Sequence, residues 1–162
     1  MLHEKGVPGW LCIKIQKKIT DAKIQLDLNK NPKWVLDTEY ERGYKTWIID
    51  DDKWEIVRGE ILADFRMEEI VSVLLDTKQR VNYDKSINEA FVVREYNVYT
   101  KLIGTVIPIS WPFSNRITST YNFGYYSPQM NSEQEFVYIS FDSDSFETKR
   151  EDHIECSFEC MA

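Results

Sequence analysis

Residues 98–126 read VYTKLIGTVIPISWPFSNRITSTYNFGYY, two runs rich in β-branched and aromatic residues on either side of SWPFSNR. Each run has the composition of a strand. Proline removes a ladder donor and fixes its own φ, so Pro108 and Pro112 belong at the break between the strands and not inside either. They bracket Trp111, whose large indole is expected to be buried. Two readings follow: a well-anchored hairpin connection, or a corner beside a ligand cavity.

Outward from this pair the chain reads as mixed. Residues 10–28 are ambiguous: Leu11, Ile15, Ile19, Ala22 and Leu26 recur at helical spacing, while Ile24, Leu26 and Leu28 alternate as in a strand. Length favours a helix, stopped by NKNP near Asn29. Short strands are expected around 34–36, 44–49 and 54–62, separated by EYERG and by an acidic turn at Asp50, Asp51 and Asp52. The clearest helix covers 66–76, where Met67, Ile70, Val71, Leu74 and Leu75 form one stripe. Asp64 is its expected N-cap, with Glu68 and Glu69 in the first turns. A short helical or irregular piece holds KQRVNYDKS. Antiparallel strands then follow at about 88–96, 98–108, 116–126, 135–141 and 153–160. Helices grouped among a majority of strands indicate an α+β fold, not parallel βαβ units.

Bulk properties narrow the function. A chain of 162 residues suits a single domain spanning 1–162. No run approaches the roughly 18 apolar residues of a membrane-spanning helix, and lysine and glutamine interrupt the apolar residues of the first segment. The net charge of −7 gives no electrostatic reason to bind a phosphate backbone, so nucleic acid is not an expected partner. A local patch at Lys14, Lys17 and Lys18 leaves room for transient membrane contact, although the wet face of a helix explains it as well. Three cysteines with no CxxC pair suit a reducing, cytoplasmic setting.

Catalysis and metal binding find little support. The two histidines, His3 and His153, have no nucleophile elbow or phosphate loop for company. Zinc is disfavoured because strand parity sends His153 to the face opposite Cys156 and Cys160. Asp142, Ser143, Asp144 and Ser145 open like a calcium loop, but Phe146 and Glu147 then stand where an oxygen ligand and a glycine are needed. The expectation is a non-enzyme without metal or cofactor. Tyr121, Phe123, Tyr125 and Tyr126 on one strand, and Phe136, Tyr138 and Phe141 on the next, read equally as a packed core or a cavity wall.

Three local patterns together resemble the START family of lipid-transfer domains. They are Arg58-Gly59-Glu60 closing a strand ahead of Asp64 and the Glu68-Glu69-Ile70 helix; Tyr83-Asp84-Lys85 followed by INEAFVVREY; and WPFSNR, which is similar to a proline-to-arginine corner of the family. The specific likeness covers residues 54–116. It implies a helix-grip fold, a curved antiparallel sheet closing around a C-terminal helix with a lipid between them. Trp111 would then plug the corner, and Arg116 would tie the loop by hydrogen bonds. The family's second arginine position is Asn122 here, a neutral amide in place of a guanidinium.

The resemblance also implies that the chain stops before the last strands and the gripping helix. The N-terminal helix, another chain or a longer parent protein would then close the cavity, and an open strand edge makes a homodimer an expectation. The implied function is non-enzymatic binding or transfer of a phospholipid, sterol or similar lipid. Burial at about 25 cal/mol per Å² would supply the affinity. Strand parity puts Ile103, Thr105 and Ile107 with Thr118, Thr120 and Asn122 as candidate cavity residues, and Trp111 and Arg116 at the corner. The alternative is a degenerate module of the same fold that dimerises or docks a partner without ligand. An enzyme of the same superfamily ranks last, because the carboxylates are scattered.

Overall fold

The computed structural model describes residues 6–27, 31–40, 43–51, 54–127, 135–143 and 154–155. They fall into two compact units, one of residues 1–16 with 66–162 and one of residues 17–65. The helix α1 (Gly9–Leu26) runs from the first into the second.

The helical reading of the opening segment prevails, since α1 buries Leu11, Cys12, Ile15, Ile19 and Ala22 while Ile24 stays exposed. Pro8 starts it as an acceptor, taking the N–H groups of Leu11 at 3.0 Å and Cys12 at 3.1 Å. Near the helix end the indole N–H of Trp34 donates to the Gln25 carbonyl at 2.6 Å, satisfying one of the last-turn oxygens. The smaller unit continues as an antiparallel meander of β1 (Val35–Glu39), β2 (Lys45–Asp51) and β3 (Trp54–Glu60). β1 is longer than the run expected from its sequence and carries a bulge between Leu36 and Thr38. The guanidinium of Arg58 lies over the Trp47 ring at 5.0 Å and pairs with Glu60.

In the larger unit α2 (Met67–Leu75) is where its periodicity puts it, but Arg66 and not Asp64 is the N-cap. Glu69 decides this by accepting the Arg66 N–H at 2.9 Å, the reach-back half of a capping box. The stripe is also narrower than expected: Val71 is buried, while Ile70 is exposed. A 3₁₀ turn (Thr77–Gln79) and the short α3 (Arg80–Tyr83) occupy the segment expected to be short and helical or irregular. Asp84 closes it by accepting from the Ser86 N–H at 3.0 Å, so Tyr83-Asp84-Lys85 carries a turn.

A second sheet follows in the order β4 (Glu89–Asn97), β5 (Thr100–Ile107), β6 (Arg116–Ser127) and β7 (Glu135–Asp142), all antiparallel. The late strand expected at 153–160 is described only as β8 (Ile154–Glu155), which pairs with the start of β6 in parallel, not antiparallel. His153, Cys156 and Cys160 lie outside the described residues.

β5 and β6 are buried on both faces, so they read as near-continuous apolar and small-residue runs without clean alternation. One face carries Leu102, Val106, Ile117, Tyr121, Phe123, Ile139 and Phe141. The first half of α1 covers it: Trp10 meets Tyr121 edge-on at 5.8 Å, and the Lys14 ammonium stands 5.5 Å above Phe141. Two glycines admit rings that a side chain would exclude. A Cβ on Gly104 would come within 2.5 Å of the Phe91 ring, and one on Gly124 equally close to Phe136. Gly104 and Phe91 lie on the face that α1 covers and Gly124 and Phe136 on the other, so aromatic rings pack down onto glycines on both faces of the sheet.

Candidate functional site

The binding candidates read from the sequence meet on the opposite face of β5 and β6. Lys101 stands opposite Asn122, Ile103 opposite Thr120, Thr105 opposite Thr118 and Ile107 opposite Arg116. Directly opposed residues in an antiparallel pair share a face, so all six cavity candidates and Arg116 are neighbours. Ile103, Thr105, Thr118, Thr120 and Asn122 are buried. The C-terminal end of α2 is tied to this face, where the Lys101 ammonium donates to the Leu75 carbonyl at 3.4 Å.

Asn122 has its hydrogen bonds within the protein. Its amide nitrogen donates to the Thr120 carbonyl at 3.1 Å and the Thr120 hydroxyl at 2.9 Å, and its oxygen accepts from the Tyr138 hydroxyl at 2.5 Å. Burial pushes the Tyr138 phenol up to about 12, outweighing the opposing influence of Arg80. Tyr138 therefore stays a neutral donor across the physiological range. The sequence named it as one of an aromatic stripe but missed this polar role. The available signal was parity: Tyr138 pairs with Gly124, two residues beyond Asn122 on the same face.

Arg116 and Thr105 contrast with Asn122. One terminal nitrogen of the guanidinium and the Thr105 hydroxyl are buried without a hydrogen-bond partner. Among the described residues the corner is tied by Asn115, whose side-chain oxygen accepts the Ile109 N–H at 3.3 Å. Trp111 is no plug there: it is 91% exposed, on a loop with Phe113 also exposed. Trp111 lies within a turn in which the Phe113 N–H donates to the Ser110 carbonyl at 3.2 Å.

Each unit has a small hollow among its described residues. In the larger one, Leu74, Leu75, Val98, Tyr99, Lys101, Ile103, Asn122 and Tyr138 surround a hollow of about 10 Å³, near the lower limit for one water. In the smaller one, Gln25, Asn31, Lys33, Trp34, Ile49 and Ile56 line a half-open hollow of about 130 Å³. Sites for drug-sized ligands span about 300–1,000 Å³. Ile103 and Asn122 thus border a narrow seam, and neither of these two hollows is lipid-sized by itself.

No family model and no curated protein matches the sequence. Solved structures do match. Human STARD10 superposes with a TM-score of 0.65 at 14% identity, covering 92% of this chain and 57% of that one. A STAR-related lipid transfer protein from Xanthomonas axonopodis gives 0.61 at 14%, over 76% of this chain and 67% of that one. The lipid transfer and protein localization domain of human StarD13 gives 0.59 at 11%, over 96% and 73%. This chain therefore spans little more than half the length of the STARD10 chain. Agreement in backbone at such low identity speaks to architecture alone, and in architecture this chain is a START-like α+β fold.

Proposed function

We propose that this chain is a non-enzymatic lipid-binding domain that carries a phospholipid, sterol or similar lipid in the cytoplasm, with 1–162 acting as one domain. The supporting observation is the fold itself, shared with proteins whose names describe lipid transfer. The seven neighbours on one face of β5 and β6 add polar side chains suited to a head group, Thr105, Thr118, Thr120, Asn122 and Arg116, beside two apolar positions at Ile103 and Ile107. Affinity would come from removing acyl or sterol surface from water. Several hundred Å² at about 25 cal/mol per Å² gives on the order of 10 kcal/mol before binding costs. The test is transfer of fluorescent phospholipid and sterol from donor to acceptor vesicles. Transfer that rises in proportion to protein concentration supports the reading, and transfer no faster than with albumin-free buffer contradicts it.

A second reading is favoured by one observation, the narrowness of the seam beside Asn122 and Tyr138. A module of this fold that holds no ligand and docks a partner or a second copy would need no larger hollow. Its expected behaviour is a persistently empty dimer in native mass spectrometry.

A further inference from the structure

We propose that Arg116 and Thr105 form an oxyanion subsite, which takes a phosphate or carboxylate oxygen of a bound ligand. This deepens the lipid reading and rests on it for the source of the oxyanion.

Buried polar atoms in folded proteins nearly always find partners, so those without one point to something missing. Among the described residues, the hydroxyls of Thr77, Thr100 and Thr105, one guanidinium nitrogen each of Arg58 and Arg116, and one carboxylate oxygen of Asp142, a residue otherwise engaged, have none. Arg58 is otherwise engaged, by Glu60 and the Trp47 ring. Thr77 sits on the 3₁₀ turn, and Thr100 faces the other side of the sheet, opposite Phe123. Thr105 and Arg116 differ in being together. Thr105 pairs with Thr118, and Arg116 is the next residue of β6 on that face. Diagonal neighbours of this kind lie roughly 7–8 Å apart, within reach of a long side chain.

Chemistry then selects the guest. A guanidinium only donates, so the missing partner must present an acceptor oxygen. Arg116 as a whole is half-buried, but the one guanidinium nitrogen that is shut away from water has no acceptor among the described residues, and a buried donor left unpaired is costly. The described carboxylate of β7 on this face, Asp142, stands opposite Thr120, four residues or about 13 Å further along the strand, and is itself engaged. An anionic oxygen answers that need, and arginine suits phosphate and carboxylate in particular. Asn122, by contrast, already donates to the Thr120 hydroxyl and accepts from Tyr138. Head-group reading therefore moves from Asn122 to the other end of the same face, next to the proline corner.

The test measures binding of the purified chain to three probes: phosphatidic acid and diacylglycerol analogues with identical fluorescent acyl chains, and inorganic phosphate alone. Phosphatidic acid is expected to bind tighter than diacylglycerol by about tenfold or more. Arg116→Gln should erase that preference, bringing the affinity for phosphatidic acid down to that for diacylglycerol. Thr105→Val should lower the preference and raise the melting temperature of the ligand-free protein, because it removes an orphaned hydroxyl. Should the arginine variant not fold, the threonine variant alone decides, and an unchanged lipid preference in it overturns the subsite. Equal binding of the two lipids overturns the subsite and leaves the carrier reading intact. Phosphate binding that Arg116→Gln abolishes, with neither lipid bound, upholds the subsite and overturns the lipid source. No binding of any probe overturns both.

Discussion

At the scale of single residues, the account turns on which polar groups are already spent. Tyr138 donates to Asn122, and burial holds its phenol at about 12. The sign of the linkage follows. The folded state keeps this proton where an unfolded tyrosine loses it near 10, so the stabilisation is complete below pH 10 and disappears between pH 10 and about 12. Urea titrations across that window should show a fall of about 2–3 kcal/mol from this group. Tyr138→Phe should remove that component of the fall. At neutral pH it should cost about 1–3 kcal/mol, because the Asn122 oxygen is left buried without a donor. A variant with wild-type alkaline behaviour would show that Tyr138 ionises freely. Gly104 makes a second residue-scale case, where an added methyl meets the Phe91 ring at 2.5 Å. Gly104→Ala should destabilise by about 1–3 kcal/mol, and less in a Phe91→Ala background, since the two sites are directly opposed. Additive losses in the double mutant would contradict the contact.

Elements were legible where a period repeated long enough to outweigh local ambiguity. α1 is the instructive case: five apolar positions at helical spacing outweighed a short strand-like alternation at its end. α2 was legible in extent but not in its cap, because a capping interaction depends on which side chain reaches back. Glu69 does so onto Arg66. Glu69→Ala should lower stability by about 1 kcal/mol in thermal unfolding, and Asp64→Ala by much less. Equal losses would return the cap to Asp64. The corner 108–115 was legible as a break between strands but not in the direction of its indole. Proline placement sets where the chain turns, and whether a side chain then finds cover depends on elements far away in sequence. Edge behaviour also belongs here. β4 ends the sheet path and carries two register shifts, after Val92 and after Glu95. Bulges and charges of this kind oppose pairing with another edge.

For the whole molecule, the order of elements and three weak motifs were enough to indicate the START-like architecture that the solved structures share. The candidate site was legible only as a face. Period two grouped Ile103, Thr105, Ile107, Thr118, Thr120, Asn122 and Arg116 correctly. Sequence parity carries no information on which of these groups are satisfied, since that depends on partners from other strands such as Tyr138. Nor does it carry the volume between elements, such as the seam of about 10 Å³ beside Asn122. The central claim is that a lipid occupies this fold. Native mass spectrometry of the chain purified from cells without detergent tests it most directly, with organic extraction of the same sample to identify what is released. The account predicts a one-to-one complex with a lipid mass, and an extract enriched in that lipid over a mock purification. A spectrum showing only empty protein, monomer or dimer, with nothing in the extract, would contradict it.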